Sequence, residues 1–280
     1  MQEIIFLIIL AIIWMIIAII QDFKKNEVDN WVNFSLIIFA LGFRFFYCLF
    51  NSDTFMFFYQ GLIGLGIFFI LANLFYYTHL FAGGDAKLLI ALGAILPFSE
   101  SFYTNLNIFI LFILIWLFVG AIYSLISSLY LFSKNTKKFN KEFENLFNKH
   151  KKTIILASLI SLILIFSGIL FNILLIILGI LILIFPFLLV YGKSLEKVGM
   201  IKKISVSKLT EGDWLVADLK IGNKTIKATW DGLTKKDINL IKKKYKHIEI
   251  KQGIPFTPVF LISFLILIYL IYSGFNFIIF

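Results

Sequence analysis

Asp22 and Asp85 are the two carboxylates that abut apolar runs most closely. Asp22 ends the first run in "AIIQDFKKNEVDNW", and Asp85 opens a later one in "FAGGDAKLLIALGAILP". Taken singly, each has a plain structural role. Asp85 after two glycines is an N-cap that accepts from the first free amides of a helix, and Asp22 marks where a span meets water. Taken as a pair on neighbouring helix ends in a partly desolvated setting, they cannot both ionise cheaply. They then share a proton, so that one is a base and the other an acid. That division of labour activates a water and protonates a leaving amine. Gly83 and Gly84 have a matching role as substrate-binding or supporting residues, because backbone without a Cβ lets an extended substrate approach the carboxylate. Lys87 either biases the local field or anchors its helix at the interface. Glu27 and Asp29, close to Asp22, are either solvated loop acids or the groups that attract a basic substrate.

Competing chemistries find little support in the residues. Cys48 is the single cysteine, which excludes an internal disulfide and a thiolate metal cluster, and His79, His150 and His247 are scattered without metal-ligand spacing. No serine or cysteine nucleophile stands out, and no cofactor or metal is expected.

The elements that must position the pair are membrane helices. The 280 residues are 60% hydrophobic with a mean hydropathy of +0.95, outside the range of soluble chains. The N-terminal run lacks the basic start and cleavage site of a signal peptide and reads as a retained first helix. Apolar runs fall at 4–21, 31–50, 57–78, 86–98, 107–132, 154–191 and 257–275. The sixth would reach roughly 57 Å as one helix against a hydrocarbon core of about 30 Å, so it should fold as two, turning at 166–172. The expected fold is therefore an all-α polytopic membrane protein of about eight transmembrane helices, with a small cytoplasmic α+β module before the last.

Alternating the loops puts every lysine on one side, including Lys87 one turn inside its helix. The positive-inside rule makes that side cytoplasmic and places both Asp22 and Asp85 there. The net charge of +10 is then mostly topology, with attraction to anionic membrane lipids secondary and no need for a nucleic-acid partner. Residues 1–191 form the transmembrane catalytic bundle, within which the basic stretch 133–152 reads as a short amphipathic surface helix. Residues 192–254 read as a soluble module with strands in "KKISVSKL", "DWLVADLKIG", "KTIKATW" and "HIEIK" and a helix in "TKKDINLIKKKYK", and 255–280 as the final span.

"AGGDAKLL" resembles the Gly-x-Gly-Asp signature of the type IV prepilin peptidase and archaeal preflagellin peptidase family. "DFKKNEVDNW" is similar to that family's other aspartate motif, and "GIPFTPVFLISFL" and "ISVSKLTEGDWLVADLKIGNKTI" to the C-terminal part of archaeal members. Ala82 stands where the signature has its first glycine. The resemblance implies a membrane aspartyl endopeptidase with Asp22 and Asp85 as catalytic residues. It would remove short basic leader peptides from pilin-like or archaellin-like precursors at the cytoplasmic membrane face. With no cysteine-rich insert and no methyl-donor site, N-methylation is not implied.

Three alternatives remain open at this level. A presenilin-like intramembrane protease would need its aspartates nearer the midplane. A proton-coupled small transporter would show internal repeats, and a lipid-bound scaffold would act through 192–254. Arg44 should pair in the bundle, with Asp53 as one partner, or snorkel outward. "GLIGLG" at 61–66 offers a small-residue helix contact. His79 is either an interfacial residue or one that tunes the pair, and Trp14, Trp31 and Trp116 read as span and interface aromatics.

Overall fold

A computed structural model of the chain describes residues 2–51, 54–78, 83–221 and 224–273. It is 77% helical, with six helices long and apolar enough to cross a membrane. The chain divides into two compact units, one of residues 1–125 with 254–280 and one of residues 126–253, the division falling inside a single helix.

The first unit contains α1 (Gln2–Lys25), α2 (Asn30–Asn51), α3 (Met56–Tyr77), α4 (Gly83–Gly93), the start of α5 (Phe102–Lys134) and α9 (Thr257–Tyr272). Its helices bury narrow stripes at helical spacing. On α1 the stripe is Leu7, Ala11, Met15, Ala18 and Asp22; on α2 it is Val32, Leu36, Ala40, Arg44 and Cys48. Large apolar residues such as Ile9, Ile13, Ile38 and Phe39 face outward, as lipid-facing surfaces require. The Trp14 indole donates to Ser35 Oγ across α1 and α2 at 2.8 Å.

The run expected as a span at 86–98 behaves differently. Its helix, α4, has 11 residues and is about 16 Å long, too short to cross. It is buried almost all round, with Leu88, Leu89, Ala91 and Leu92 at 1% exposure or less, which marks a helix enclosed by others. Two features allow it to stop inside the bundle. Gly64 and Gly93 let α3 and α4 touch backbone to backbone: a Cβ on Gly64 would overlap the Gly93 carbonyl oxygen. Gly61 of the same small-residue stretch makes room for the Arg44 side chain, whereas Gly66 faces open space. Past the helix end, Arg44 donates to the carbonyls of Ala94 (2.9 Å), Ile95 (3.1 Å) and Pro97 (2.6 Å), and to that of Phe57 (2.9 Å). Arg44 is fully buried, so it pairs within the bundle with backbone carbonyls and does not snorkel. Asp53 lies outside the described residues.

In the second unit the long apolar run folds as two helices, α6 (Thr136–Leu170) and α7 (Ile173–Leu195), with Asn172 capping α7 by accepting from Leu174 N. The basic stretch is not a separate surface helix, because α6 is continuous from Thr136. Phe139, Phe143 and Phe147, four residues apart, stack along one face of it and continue the stripe of the apolar half. The following module has β1 (Ile201–Ser205), β2 (Trp214–Leu215), β3 (Leu219–Ile221), β4 (Lys224–Ile226), α8 (Lys235–Lys244) and β5 (His247–Lys251). Strand β5 lies between antiparallel β1 and β2, burying Ile248 and Ile250 on one face. A Thr234–Asp237 capping box starts α8, whose Ile238 and Ile241 complete the small core.

Candidate active site

Asp22 lies in the last turn of α1 and is 7% exposed. The helix stops where Asn26 takes φ of +55°, a left-handed conformation that asparagine tolerates, and donates its N–H to the Asp22 carbonyl at 2.7 Å. The chain then turns back with Val28 buried. Gln21 Oε1 accepts from Asp29 N at 2.9 Å, and Lys25 pairs with Asp29 at 3.1 Å. Asp29 thus has local partners that help fold the loop, while Glu27 is exposed.

Asp85 is the third residue of α4 and partly buried. It stands inside the first turn, where a carboxylate is favoured by the helix dipole, and not at the residue before the helix as an N-cap would. The loop after α1 lies directly against it. A Cβ on Gly84 would stand 3.7 Å from Val28 N, and Lys87 Nζ donates to Asn30 Oδ1 at 2.6 Å, tying α4 to the start of α2. The space beside Gly84 therefore adjoins this loop at ordinary van der Waals distance, and Gly83 has Tyr76 at a similar separation. Across this junction the charge of Asp22 acts on Asp85. The structure thereby brings together Asp22, Asp85, Gly84, Lys87 and the loop bearing Glu27 and Asp29. His79 and Ala82 lie outside the described residues, and among the described residues no cluster of His, Cys, Asp and Glu has the makings of a metal site.

One residue of the site was not singled out in the sequence. Thr257, the first residue of α9 and 1% exposed, donates to Asp22 Oδ2 through both its backbone N–H (3.2 Å) and its Oγ1 (2.9 Å). The available signal was a hydroxyl residue at the mouth of the last apolar run, in "IPFTPVF", but nothing local connects it to an aspartate 235 positions away.

The sequence profile of the type IV leader peptidase family matches residues 9–125, a segment that contains both aspartates and ends where the N-terminal part of the first unit ends. Over this segment the chain is similar to the type IV leader peptidase family. Relatives include the preflagellin peptidase of Methanococcus maripaludis, 31% identical over 100 residues, covering 35% of this chain and 43% of the relative. The preflagellin peptidase of Methanocaldococcus jannaschii is 34% identical over 89 residues, covering 32% and 37%. That of Methanococcus voltae is 28% identical over 135 residues, covering 45% and 56%. The chain thus spans about half, or less, of the length of the curated relatives it matches. No solved structure matches it. The profile does not extend to the C-terminal stretches whose resemblance to archaeal members is described above, nor to Thr257.

Proposed function

We propose that the chain is a membrane aspartyl endopeptidase that removes short basic leader peptides from archaellin-like or pilin-like precursors at the cytoplasmic face. The observation that carries this reading is that Asp22 and Asp85 stand in terminal turns of two different helices, α1 and α4, which meet through Val28 beside Gly84 and the Lys87–Asn30 hydrogen bond, within the matched segment. The preflagellin peptidases among its relatives support the substrate class. Lys24, Lys25 and Lys87 beside the two carboxyls support the face, and the position of both carboxyls in terminal helix turns suits a cut at the membrane surface.

The chemistry is that of a carboxyl pair holding one proton. The ionised carboxylate takes a proton from water as the water oxygen bonds to the scissile carbonyl carbon. The proton on the other carboxyl passes to the leaving nitrogen as the C–N bond breaks. The pair ends with one proton, moved from one carboxyl to the other. Gly83 and Gly84 would leave room for the extended leader, Lys87 would hold α4 to the start of α2, and Glu27 would offer the basic leader an exposed negative charge.

The test is cleavage of an archaellin-like or pilin-like precursor in membranes containing wild type, Asp22→Asn or Asp85→Asn. Wild type is expected to cut, and each near-isosteric variant, inserted at equal level, to lose at least about 100-fold in rate. Normal cutting by either variant rejects the dyad. A wild type silent across several precursors would favour transport or scaffolding.

A further inference from the structure

Asp22 is held more tightly than a carboxylate that only meets water at a helix end. Both donors of Thr257 converge on one of its oxygens, Oδ2, and the residue that supplies them is almost fully buried. The threonine N–H is one of the free amides at the start of α9, whose positive end therefore points at the carboxylate. The hydroxyl has a single proton and directs it to the same oxygen. With two donors converging on it, Oδ2 has no lone pair left for the shared proton, and Oδ1 is the oxygen that can meet water. Asp85, in contrast, lies where the charge of Asp22 acts on it. The other charged groups around Asp22 are Lys24 and Lys25 on its own helix, Glu27 and Asp29 in the loop, and Lys87 on α4; α9 carries no charged residue.

We propose that Thr257 is a positioning residue that assigns the two aspartates their roles: it occupies Asp22 Oδ2, leaving Oδ1 as the base, and so places the shared proton on Asp85. In the resulting step, water gives its proton to Asp22 Oδ1 as its oxygen bonds to the carbonyl carbon. Asp85 then gives its proton to the leaving nitrogen, and the proton returns from Asp22 to Asp85 before the next turnover. The assignment rests on the dyad reading above, but it makes a claim of its own about a residue beyond the family segment.

The experiment measures kcat, KM and the pH profile of cleavage of an archaellin-like precursor by full-length wild type, Thr257→Val, Thr257→Ser and Asp22→Asn in vesicles. Thr257→Val keeps the shape and the backbone N–H but loses the hydroxyl. It is expected to lower kcat about tenfold or more with KM unchanged, and to move the acidic limb of the pair's profile. Thr257→Ser keeps a donor and is expected to restore both. Should Thr257→Val insert poorly, Thr257→Ala is read by the same acidic limb. A Thr257→Val enzyme with wild-type kcat and limbs, or an equal loss at every pH in both Val and Ser variants, overturns the assignment while an inert Asp22→Asn leaves the dyad standing. An active Asp22→Asn overturns the dyad itself, and with it the role of Thr257.

Discussion

Asp22 reaches the bundle interior because it continues the buried stripe of α1, four residues beyond Ala18, and α1 ends at Lys25, just before Asn26. The same local geometry is testable. Asn26→Val forces a branched side chain into the left-handed region and is expected to destabilise by about 1–2 kcal/mol, whereas Asn26→Gly should be nearly neutral, as read by thermal unfolding in detergent. Arg44 answers a different need. Each carbonyl past the end of α4 would otherwise be a buried acceptor without a donor, and one guanidinium serves Ala94, Ile95 and Pro97 together with Phe57. Replacing it by methionine should cost about 3 kcal/mol or more, and lysine, with one ammonium in place of a planar fork, should rescue only part. For the carboxyl pair, a bell-shaped dependence of cleavage rate on pH is expected. Its two limbs belong to the pair and not to either aspartate alone. A profile flat across both limbs would contradict the shared proton.

At the scale of elements, α4 explains why the bundle needs so many small contacts. A helix of 11 residues contributes little surface, so its position depends on close approach to α3 and on its tether to α2. Gly64→Ala is expected to push these backbones apart and cost about 1–3 kcal/mol, as overpacking does. Gly66→Ala, which meets nothing within 4 Å, is expected to remain within about 0.5 kcal/mol of wild type. Comparing the two by unfolding temperature and by cleavage rate separates packing of α4 from placement of Asp85. Helix α9 contributes through its first residue: by carrying Thr257 to Asp22 it joins the chain's last described helix to its first.

For the whole molecule, the small strand-and-helix module of the second unit has a pH response separate from the proposed carboxyl pair. Burial holds the Asp213 carboxyl above its ordinary value near 3.8, an effect larger than the opposing hydrogen bond from Thr210 N–H. A carboxyl raised in the folded state stabilises fully below its ordinary value and loses that contribution as pH rises through the raised one. Asp213→Asn, which stays neutral, should therefore gain protection relative to wild type as pH rises above the ordinary carboxyl value of about 4, measured by hydrogen exchange of β2 in the full chain. A constant difference across that range would refute the role of burial. Much of this architecture was legible in the sequence, because its signals are local. Spans declare themselves through long apolar runs, the turn at 166–172 through the length limit of a single crossing, strands through alternation, and α8 through its amphipathic pattern. The two aspartates stood out because charge beside apolar runs is rare. The tertiary structure decided what depends on distant residues: α4 stopping short where Arg44 from another helix donates to the carbonyls just past its end, the basic stretch merging into α6, and Thr257 reaching Asp22. Hydrophobic period and charge report on a residue's own neighbours, whereas a hydrogen bond across 235 positions exists only once the helices have packed.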